Sequence, residues 1–579
     1  MNPALDPITL ALVQNRLDHI SHQMGWVMTR TARSPHLTQS HDFSCYITDA
    51  RGILMSQADG IPIHTGGGGF AVRAILRDFK EAIAPDDVFL LSDPYTAGGN
   101  HLPDWVIARP VFVSGKLVAF ACNRAHQVDI GGGAAGTYNS AATEIFHEGI
   151  RLPVLKLIET GRVREDLWRF LLLNTRLPDA LDGDVRAMIG STRIGAERIA
   201  ALVEEVGADR AGEFFEAVLD HADRRFRASV SRLPKGSWKA EEPMDHDCFQ
   251  PVDSAIVLTL TVGESGLIVD FDGTSPQMRG FKNSSIANST SAVFMALAAF
   301  FEADLPKNEG TFRSVEIRLP EGTLVNARLP AAMTANTVYP AHEIIHAIWK
   351  ALAQALPERA SAGWPKTMST RMSGLRPNGD HYVMHGFPAA AASGAVAGRD
   401  GINMIGNLIT LGGLTLPNLE DYEQFYPVRF HRQEFRCDGG GPGRFRGGTG
   451  CDYEVELFTP AEYSFMIGAI PGGRPSSFGV EGGKPGATTM PTLSLADGTK
   501  IHPDNASVER YGPTTYHVLA PGGGGFGNPK TRDPSRVSRD VRDGIVSIAA
   551  AEREYAVAIT SDGLHIDEAR TLQLRRVQR

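Results

Sequence analysis

Three short polar runs near the N-terminus carry the side chains best suited to chemistry. Asn100, His101, Leu102, Pro103 and Asp104 form one, Asn123 to Asp129 a second that contains His126, and His41 with Asp42 a third. Two imidazoles with one or two carboxylates make a hard-to-borderline nitrogen and oxygen donor set, which suits Zn²⁺, Mn²⁺ or Fe²⁺. Either histidine alone is more often a surface or capping residue, so spacing leaves a metal as one option among others.

A different metal pattern lies further along, where His342, Glu343, Ile344, Ile345 and His346 spell H-E-x-x-H. On a helix this spacing places both imidazoles on one face, with the glutamate as the general base of a zinc peptidase. Ile345, Ile348, Leu352 and Leu356 supply the apolar stripe of such a helix. Lys350, however, falls one turn beyond His346 on the same face, where an ammonium opposes a dication. No H-x-x-G-x-x-H extension follows, and the next acid, Glu358, stands just past Pro357. The expectation is a solvated polar helix face, with a zinc metallopeptidase as the alternative.

Glycine is in excess, at 61 of 579 residues, against about 7% in an average chain. It gathers at Gly66 to Gly69, Gly131 to Gly133, Gly439 to Gly441 and Gly522 to Gly525. Such clusters mark tight bends or close backbone approach, and each is a candidate ligand cradle. None is a phosphate loop. For Gly483 and Lys484 the first glycine position of a Walker loop is Phe478 and the Ser/Thr position is Pro485. This chain is therefore not expected to bind ATP by itself. A G-x-S-x-G elbow is also missing, and Cys45, Cys122, Cys248, Cys437 and Cys451 sit in no protease context. Their odd number, wide separation and lack of a CxxC pair favour reduced thiols in a cytoplasmic protein.

These groups must be positioned by the elements around them. Val13, Leu17, Ile20, Met24, Val27 and Met28 predict a helix over 8–32, ended by Pro35. Hairpins are expected over 43–48 with 53–56, over 106–113 with 116–122, and over 255–262 with 267–271, with a buried strand at Val88 to Leu91. Residues 163–232 read as helical, as do 293–301 and 343–356. Beyond about residue 425 strands and turns dominate. Mixed elements without a βαβ rhythm predict an α+β, multidomain chain. The expected division is an N-terminal metal-site domain over 1–235, a middle α+β domain over 236–425 and a β-rich C-terminal region over 426–579. The polar runs then fall at strand ends and loops, where a rigid scaffold presents functional groups.

A net charge of −9 and a pI near 6.1 argue against nucleic acid or an anionic membrane surface as a partner. The basic run Leu574 to Arg579 reads as a solvated tail. No segment approaches a membrane-spanning length of apolar residues, and Met1 to Thr9 carries no basic-plus-apolar leader.

Several segments occur in a telling order: Ser40-His41-Asp42-Phe43-Ser44; Ser92-Asp93-Pro94-Tyr95 through Gly99-Asn100-His101-Leu102-Pro103-Asp104; Asn123 to Gly132; Asp270 to Gln277; Arg436 to Gly450; and Pro521 to Pro529. From Asp6-Pro7 to Tyr555 the sequence resembles the hydantoinase B/oxoprolinase family, which includes subunits of ATP-dependent hydantoinase, 5-oxoprolinase and caprolactamase and related subunits of acetone and acetophenone carboxylases. Two positions depart from the family pattern: Gly439 stands where a Ser is usual, and Asn528 where an Asp is usual.

The resemblance implies a divalent metal held by Asp42, His101, Asp104 and His126, and gives the H-E-x-x-H helix no metal role. It also implies a separate A-type ATP-binding subunit, in an α2β2 hetero-oligomer, that uses ATP and Mg²⁺ to phosphorylate the carbonyl oxygen of a small cyclic amide. Water activated by the metal would then open the ring on this chain. His41, Asp129 and His147 are candidates for the general base or for orienting a ligand. A subunit of a ketone carboxylase is the alternative function, and a catalytically silent scaffold another.

Overall fold

The computed structural model of the protein describes residues 7–57, 60–366, 368–468 and 477–576. The start of the Met1 to Thr9 segment and the end of the basic C-terminal run therefore lie outside the described residues. The chain divides into two units, Met1–Ala351 with Gly413–Thr415, and Leu352–Gly412 with Leu416–Arg579. The expected boundary at 235/236 falls inside the first and that at 425/426 inside the second. Helices and strands are mixed in several sheets, an α+β architecture as expected.

The first unit opens with α1 (Pro7–Thr31) and α2 (Pro35–Thr38). Pro35 does not merely end the first helix. It occupies the first turn of the second, behind Ser34, whose hydroxyl accepts the Leu37 N–H at 3.4 Å. There follow β1 (Phe43–Asp49), β2 (Leu54–Gln57), α3 (Pro62–Thr65), α4 (Gly68–Phe79), β3 (Val88–Leu91), β4 (Asp104–Val113), β5 (Lys116–His126), β6 (Leu155–Glu159) and β7 (Arg162–Val163). These strands make one antiparallel sheet in the order β2-β1-β5-β4-β3-β6-β7.

Helices α5 (Glu165–Leu173), α6 (Pro178–Val206) and α7 (Ala211–Val230) come next. Side chains alternate across the sheet with the period of a strand. Ala119 and Ala121 of β5 join Cys45, Ile47, Ile107 and Val111 in a core with Leu17 and Met24 of α1 and Met188 and Leu202 of α6. Phe120 and Cys122 turn the other way and join Tyr46, Val106 and Ala108 under Val72 and Ile75 of α4. Because both faces are covered, β1 is buried along its whole length, its polar Ser44, Thr48 and Asp49 included.

A second sheet, in the order β11-β10-β9-β8, is built from β8 (Gly236–His246), β9 (Pro251–Val262), β10 (Leu267–Asp270) and β11 (Val315–Arg318), with α8 (Ile286–Phe300) between its last two strands in sequence. Helix α9 (Ala341–Ala355) follows.

The second unit contains β12 (Met368–Leu375), β13 (His381–His385), α10 (Leu419–Phe425), β14 (Val428–Phe435), β15 (Cys451–Leu457), β16 (Ala461–Ile467), β17 (Met490–Leu495), β18 (Lys500–Ile501), β19 (Ala506–Tyr511) and β20 (Thr514–Leu519). Two sheets, β13-β12-β16-β19 and β14-β15-β20-β17-β18, share one core of Met372, Tyr463, Phe465, Tyr453, Leu493 and Tyr516. The β-rich stretch stops there, and α11 (Pro534–Arg542), α12 (Ile548–Tyr555) and α13 (Glu568–Arg576) close the chain. The basic run is helical through Arg576, and within it Arg575 is half-buried and donates to the Arg532 carbonyl at 2.7 Å, whereas Arg576 is exposed.

The two C-terminal glycine clusters pack backbone on backbone. Gly441 N–H donates to Gly523 O, Gly523 N–H to Gly448 O and Gly525 N–H to Lys484 O, at 2.8, 3.0 and 2.8 Å. A Cβ on Gly441 would stand 2.8 Å from Gly525 N, so no side chain fits between these segments. Of the two departures from the pattern of the resemblance, the first finds a local reason. At Gly439 a Cβ would strike the Thr449 hydroxyl, which occupies that space and donates to Arg436 O at 2.5 Å. Asn528 caps a short turn by accepting the Lys530 N–H at 3.0 Å, a bond that an Asp would accept equally.

Among the described residues no helix is long and apolar enough to cross a membrane. All five cysteines are free.

Candidate metal centre

Strand register brings three of the expected ligands side by side. Phe43 pairs with Ala125, and the next rung continues the ladder, with the His126 N–H donating to Asp42 O at 3.1 Å. On the other side His126 pairs with Asp104. Asp42, His126 and Asp104 thus stand on one rung of three adjacent strands. They share parity with Tyr46, Cys122 and Val106, so all three belong to the α4 face.

His101 arrives from the turn before β4, and its Nε2 lies 2.8 Å from Asp104 Oδ1. His126 Nδ1 donates to the same oxygen at 3.2 Å. The Tyr138 ring stacks on His126, with centroids 5.8 Å apart. The four residues expected to hold a metal are therefore brought together, and ligand atoms of His101, Asp104 and His126 all lie within 4.8 Å of one another.

Two further histidines, which the sequence reading missed, complete the cluster. His36 on α2 lies with Nε2 2.9 Å from Asp42 Oδ2. His64 on α3 has Nε2 3.7 Å from Asp42 Oδ1 and 3.4 Å from Asp104 Oδ2. The available signal was thin, since each is a single histidine within two residues of a proline in a short helical turn. A neighbouring glycine admits this arrangement. A Cβ on Gly67 would stand 2.9 Å from the Ala287 carbonyl of α8 and 3.2 Å from Asn100 Oδ1, so glycine lets the chain after His64 close against both.

The electrostatics suit a cation. Burial would push the Asp42 carboxyl up, but the hydrogen bond and charge of His36, with the charges of His126 and His64 nearby, bring it down to about 2. Burial likewise opposes ionisation of Asp104, and the charges of His101 and His64 carry it well below the usual range. Burial pushes His126 down to about 4 against its bond to Asp104, and it lowers His64 against the charges of Asp104 and Asp42. Metal ligation requires ionised carboxylates and neutral imidazoles. Two carboxylates, the buried Asp104 and the half-buried Asp42, balance the charge of one divalent ion. Asp104 Oδ2 is buried and accepts no hydrogen bond, its contact with His64 Nε2 being 3.4 Å, as an atom that awaits a ligand would be. The residues present fit a divalent cation.

The other candidates are engaged elsewhere. Asp129 is buried, accepts the N–H groups of Gly131, Gly136 and Arg176 at 3.1, 3.1 and 2.9 Å, and pairs with the Arg176 guanidinium at 3.0 Å. It anchors the Gly131 to Gly133 loop. His41, at a φ of 57°, directs Nδ1 to the Thr415 hydroxyl at 3.2 Å. His147 is exposed and receives the Thr143 N–H at 3.4 Å.

The H-E-x-x-H segment corrects an expectation. It lies on α9, but His342, Glu343 and His346 are 0%, 1% and 0% exposed, so their face is not solvated. The helix is buried on all sides through Trp349, a pattern that an apolar stripe alone does not reveal. The two rings pack edge to face with centroids 4.1 Å apart, His346 lies 3.5 Å from Glu242 Oε1, and Lys350 neutralises Glu242.

Residues 6–529 match the family model described as Hydantoinase B/oxoprolinase. The chain is 33% identical to caprolactamase subunit beta from Pseudomonas jessenii, over 98% of both proteins. It is 27% identical over 90% of its length to 5-oxoprolinase 1 of Arabidopsis thaliana, of which it spans 42%. The crystal structure of ATP-dependent caprolactamase from Pseudomonas jessenii superposes with a TM-score of 0.91 at 32% identity, covering 99% of this chain and 100% of that one. A nucleotide-free acetone carboxylase shares the fold, with a TM-score of 0.89 at 20% identity over 99% of this chain and 83% of that one.

Proposed function

The chain belongs to the hydantoinase B/oxoprolinase family, and from that premise we propose that it is the B-type, metal-bearing subunit of a cytoplasmic, ATP-dependent hydrolase that opens a cyclic amide such as a hydantoin, 5-oxoproline or a lactam. The observation that carries this reading is the rung of Asp42, His126 and Asp104, joined by His101. That donor set suits zinc, manganese or iron. A divalent cation bound there supplies Lewis-acid stabilisation of a developing oxyanion and lowers the pKa of water towards about 7.

The chain's own residues set the stage for that chemistry. His36 holds one oxygen of Asp42, leaving the other directed at the cluster. The Thr334 carbonyl takes the Nδ1 proton of His101 at 2.6 Å and so fixes which ring nitrogen stays available. Burial of every one of these groups but the half-buried Asp42 excludes bulk water and strengthens each charge interaction. His64, whose hold on a proton is weakened by burial and which stands between the two carboxylates, is the group positioned to take a proton at Nε2 from the attacking water.

An unstrained amide resists water, so the ring carbonyl must first be activated. No phosphate loop is present, which leaves that step to an A-type partner that uses ATP and Mg²⁺ in an α2β2 assembly. The name of the Pseudomonas jessenii relative, a subunit beta, supports such a division, as does the additional length of the plant 5-oxoprolinase. The partner transfers a phosphoryl group to the carbonyl oxygen. Water then adds to the ring carbon, the C–N bond breaks with its nitrogen protonated, and a second water releases phosphate from the acyl phosphate.

Metal analysis of two variants tests the centre. His101→Ala is expected to be isolated without the cation, binding it only weakly on titration through Asp42, Asp104 and His126, and His342→Ala to keep it, and the reverse result overturns the assignment. Turnover with the partner on hydantoins and lactams is expected to proceed without bicarbonate, and a bicarbonate requirement would move the chain to the carboxylase function.

A further inference from the structure

Glu148 is only 1% exposed, and among the described residues no Lys or Arg pairs with it. Burying a carboxylate without a cationic partner is costly, so something else must justify its place. Its two oxygens receive converging backbone donors. The Met333 N–H lies 3.0 and 2.9 Å from Oε1 and Oε2, and the Thr334 N–H lies 2.6 Å from Oε1.

Thr334 is also the residue whose carbonyl accepts His101 Nδ1 at 2.6 Å. One residue of backbone therefore links a buried carboxylate to a metal-ligand candidate, with the donor end on Glu148 and the acceptor end on His101. The neighbouring contacts hold the same short turn in place: Ala335 N–H donates to Phe281 O at 3.2 Å, and the Asn336 amide donates to Asn100 O at 2.7 Å, immediately before His101.

We propose that Glu148 is a positioning residue that acts through the Thr334 backbone to fix the tautomer and ring direction of His101, and so sets how tightly the centre holds its cation. The inference rests on the metal-centre reading above. Histidine ligands commonly give their second ring N–H to a carboxylate or carbonyl, which orients the ring and raises its basicity. Here the carbonyl makes that contact, and the carboxylate holds the carbonyl. A neutral amide at position 148 would keep the volume but present its NH2 to one of the two converging N–H groups, releasing Thr334 from its aim.

The test is Mn²⁺ and Zn²⁺ titration of the isolated full chain, for the parent, Glu148→Gln, His101→Ala and the double variant. Glu148→Gln is expected to weaken cation binding by about 10- to 100-fold, and to cause no further loss once His101 is gone, because the two act in series. Glu148→Asp, which keeps the charge but withdraws it by one methylene, is expected to show the same loss and serves if the Gln variant does not fold. Affinity within about twofold of the parent in Glu148→Gln, or an equal loss with and without His101, overturns the proposal while leaving the metal centre standing. A parent chain that binds no cation overturns both.

Discussion

Single carboxylates in this protein have roles set by what surrounds them. Asp129 and Asp104 are both buried acids from the same part of the sequence, yet Asp129 is consumed by three backbone N–H groups and Arg176, whereas Asp104 keeps one oxygen without a hydrogen bond. Sequence could nominate both and could not separate them. Asp42, His101, Asp104 and His126 were legible because each sits in a dense polar run. His36, His64 and Glu148 were not, because each stands alone and acquires its meaning only from residues distant in the chain. Glu148 also gives a pH prediction. Burial, against the Met333 and Thr334 N–H groups, raises its carboxyl to about 7 from 4.5. A carboxyl raised in the folded state binds its proton more tightly there than in the unfolded chain, so stability falls as pH rises through that window. The loss is about 3 kcal/mol for the cation-free protein. Urea unfolding at about pH 5 and about pH 8 is expected to show this slope in the parent and not in Glu148→Gln; equal slopes would refute it.

At the scale of elements, the hairpins were readable from apolar runs broken at turns, and the β1, β4 and β5 strands lie close to where periodicity put them. What periodicity could not supply was pairing: β5 lies between β1 and β4, so the order that builds the site is not the order of the chain. The polar face of α9 was misjudged for a related reason, since a helix surrounded on all sides looks amphipathic until its neighbours are known. In the second unit, α11 and the turn before it are tied down by a charged cluster. Arg532, 1% exposed at its side chain, reaches Asp400 at 2.7 and 2.9 Å and Asp540 at 2.7 Å, and Arg536 adds a 2.7 Å contact to Asp400. Removing the central guanidinium leaves Asp400 to Arg536 and Asp540 to Arg446 at 3.6 Å, so Arg532→Met is expected to cost about 3 kcal/mol in denaturant unfolding. Burial opposes ionisation of Asp400, but its bond to Arg532 carries the carboxyl below its ordinary 3.8. Its contribution is therefore full above that value and is lost as pH falls through the lower folded-state pKa, and Arg532→Met is expected to blunt this acid sensitivity.

For the molecule as a whole, the division of labour gives the broadest prediction. Neither the glycine clusters nor any motif offers a cradle for ATP, and the C-terminal glycines instead serve backbone-to-backbone packing. The isolated chain is expected to hydrolyse no ATP, and to acquire substrate-stimulated ATPase activity only with its partner; ATP hydrolysis by the chain alone would end the two-subunit account. The sequence by itself determined the family, the mixed α+β class, the absence of a phosphate loop and the polar runs from which the resemblance selects four ligand candidates, because these depend on residue types at short spacing, which survive in a linear string. Only the tertiary structure decided that Asp42, His126 and Asp104 share a rung, that His36 and His64 flank them, that Glu148 reaches His101 through Thr334, and that His342 and His346 are spent inside a buried helix. Those facts depend on strand order and on which faces are covered, and both are settled by long-range packing that no local pattern encodes.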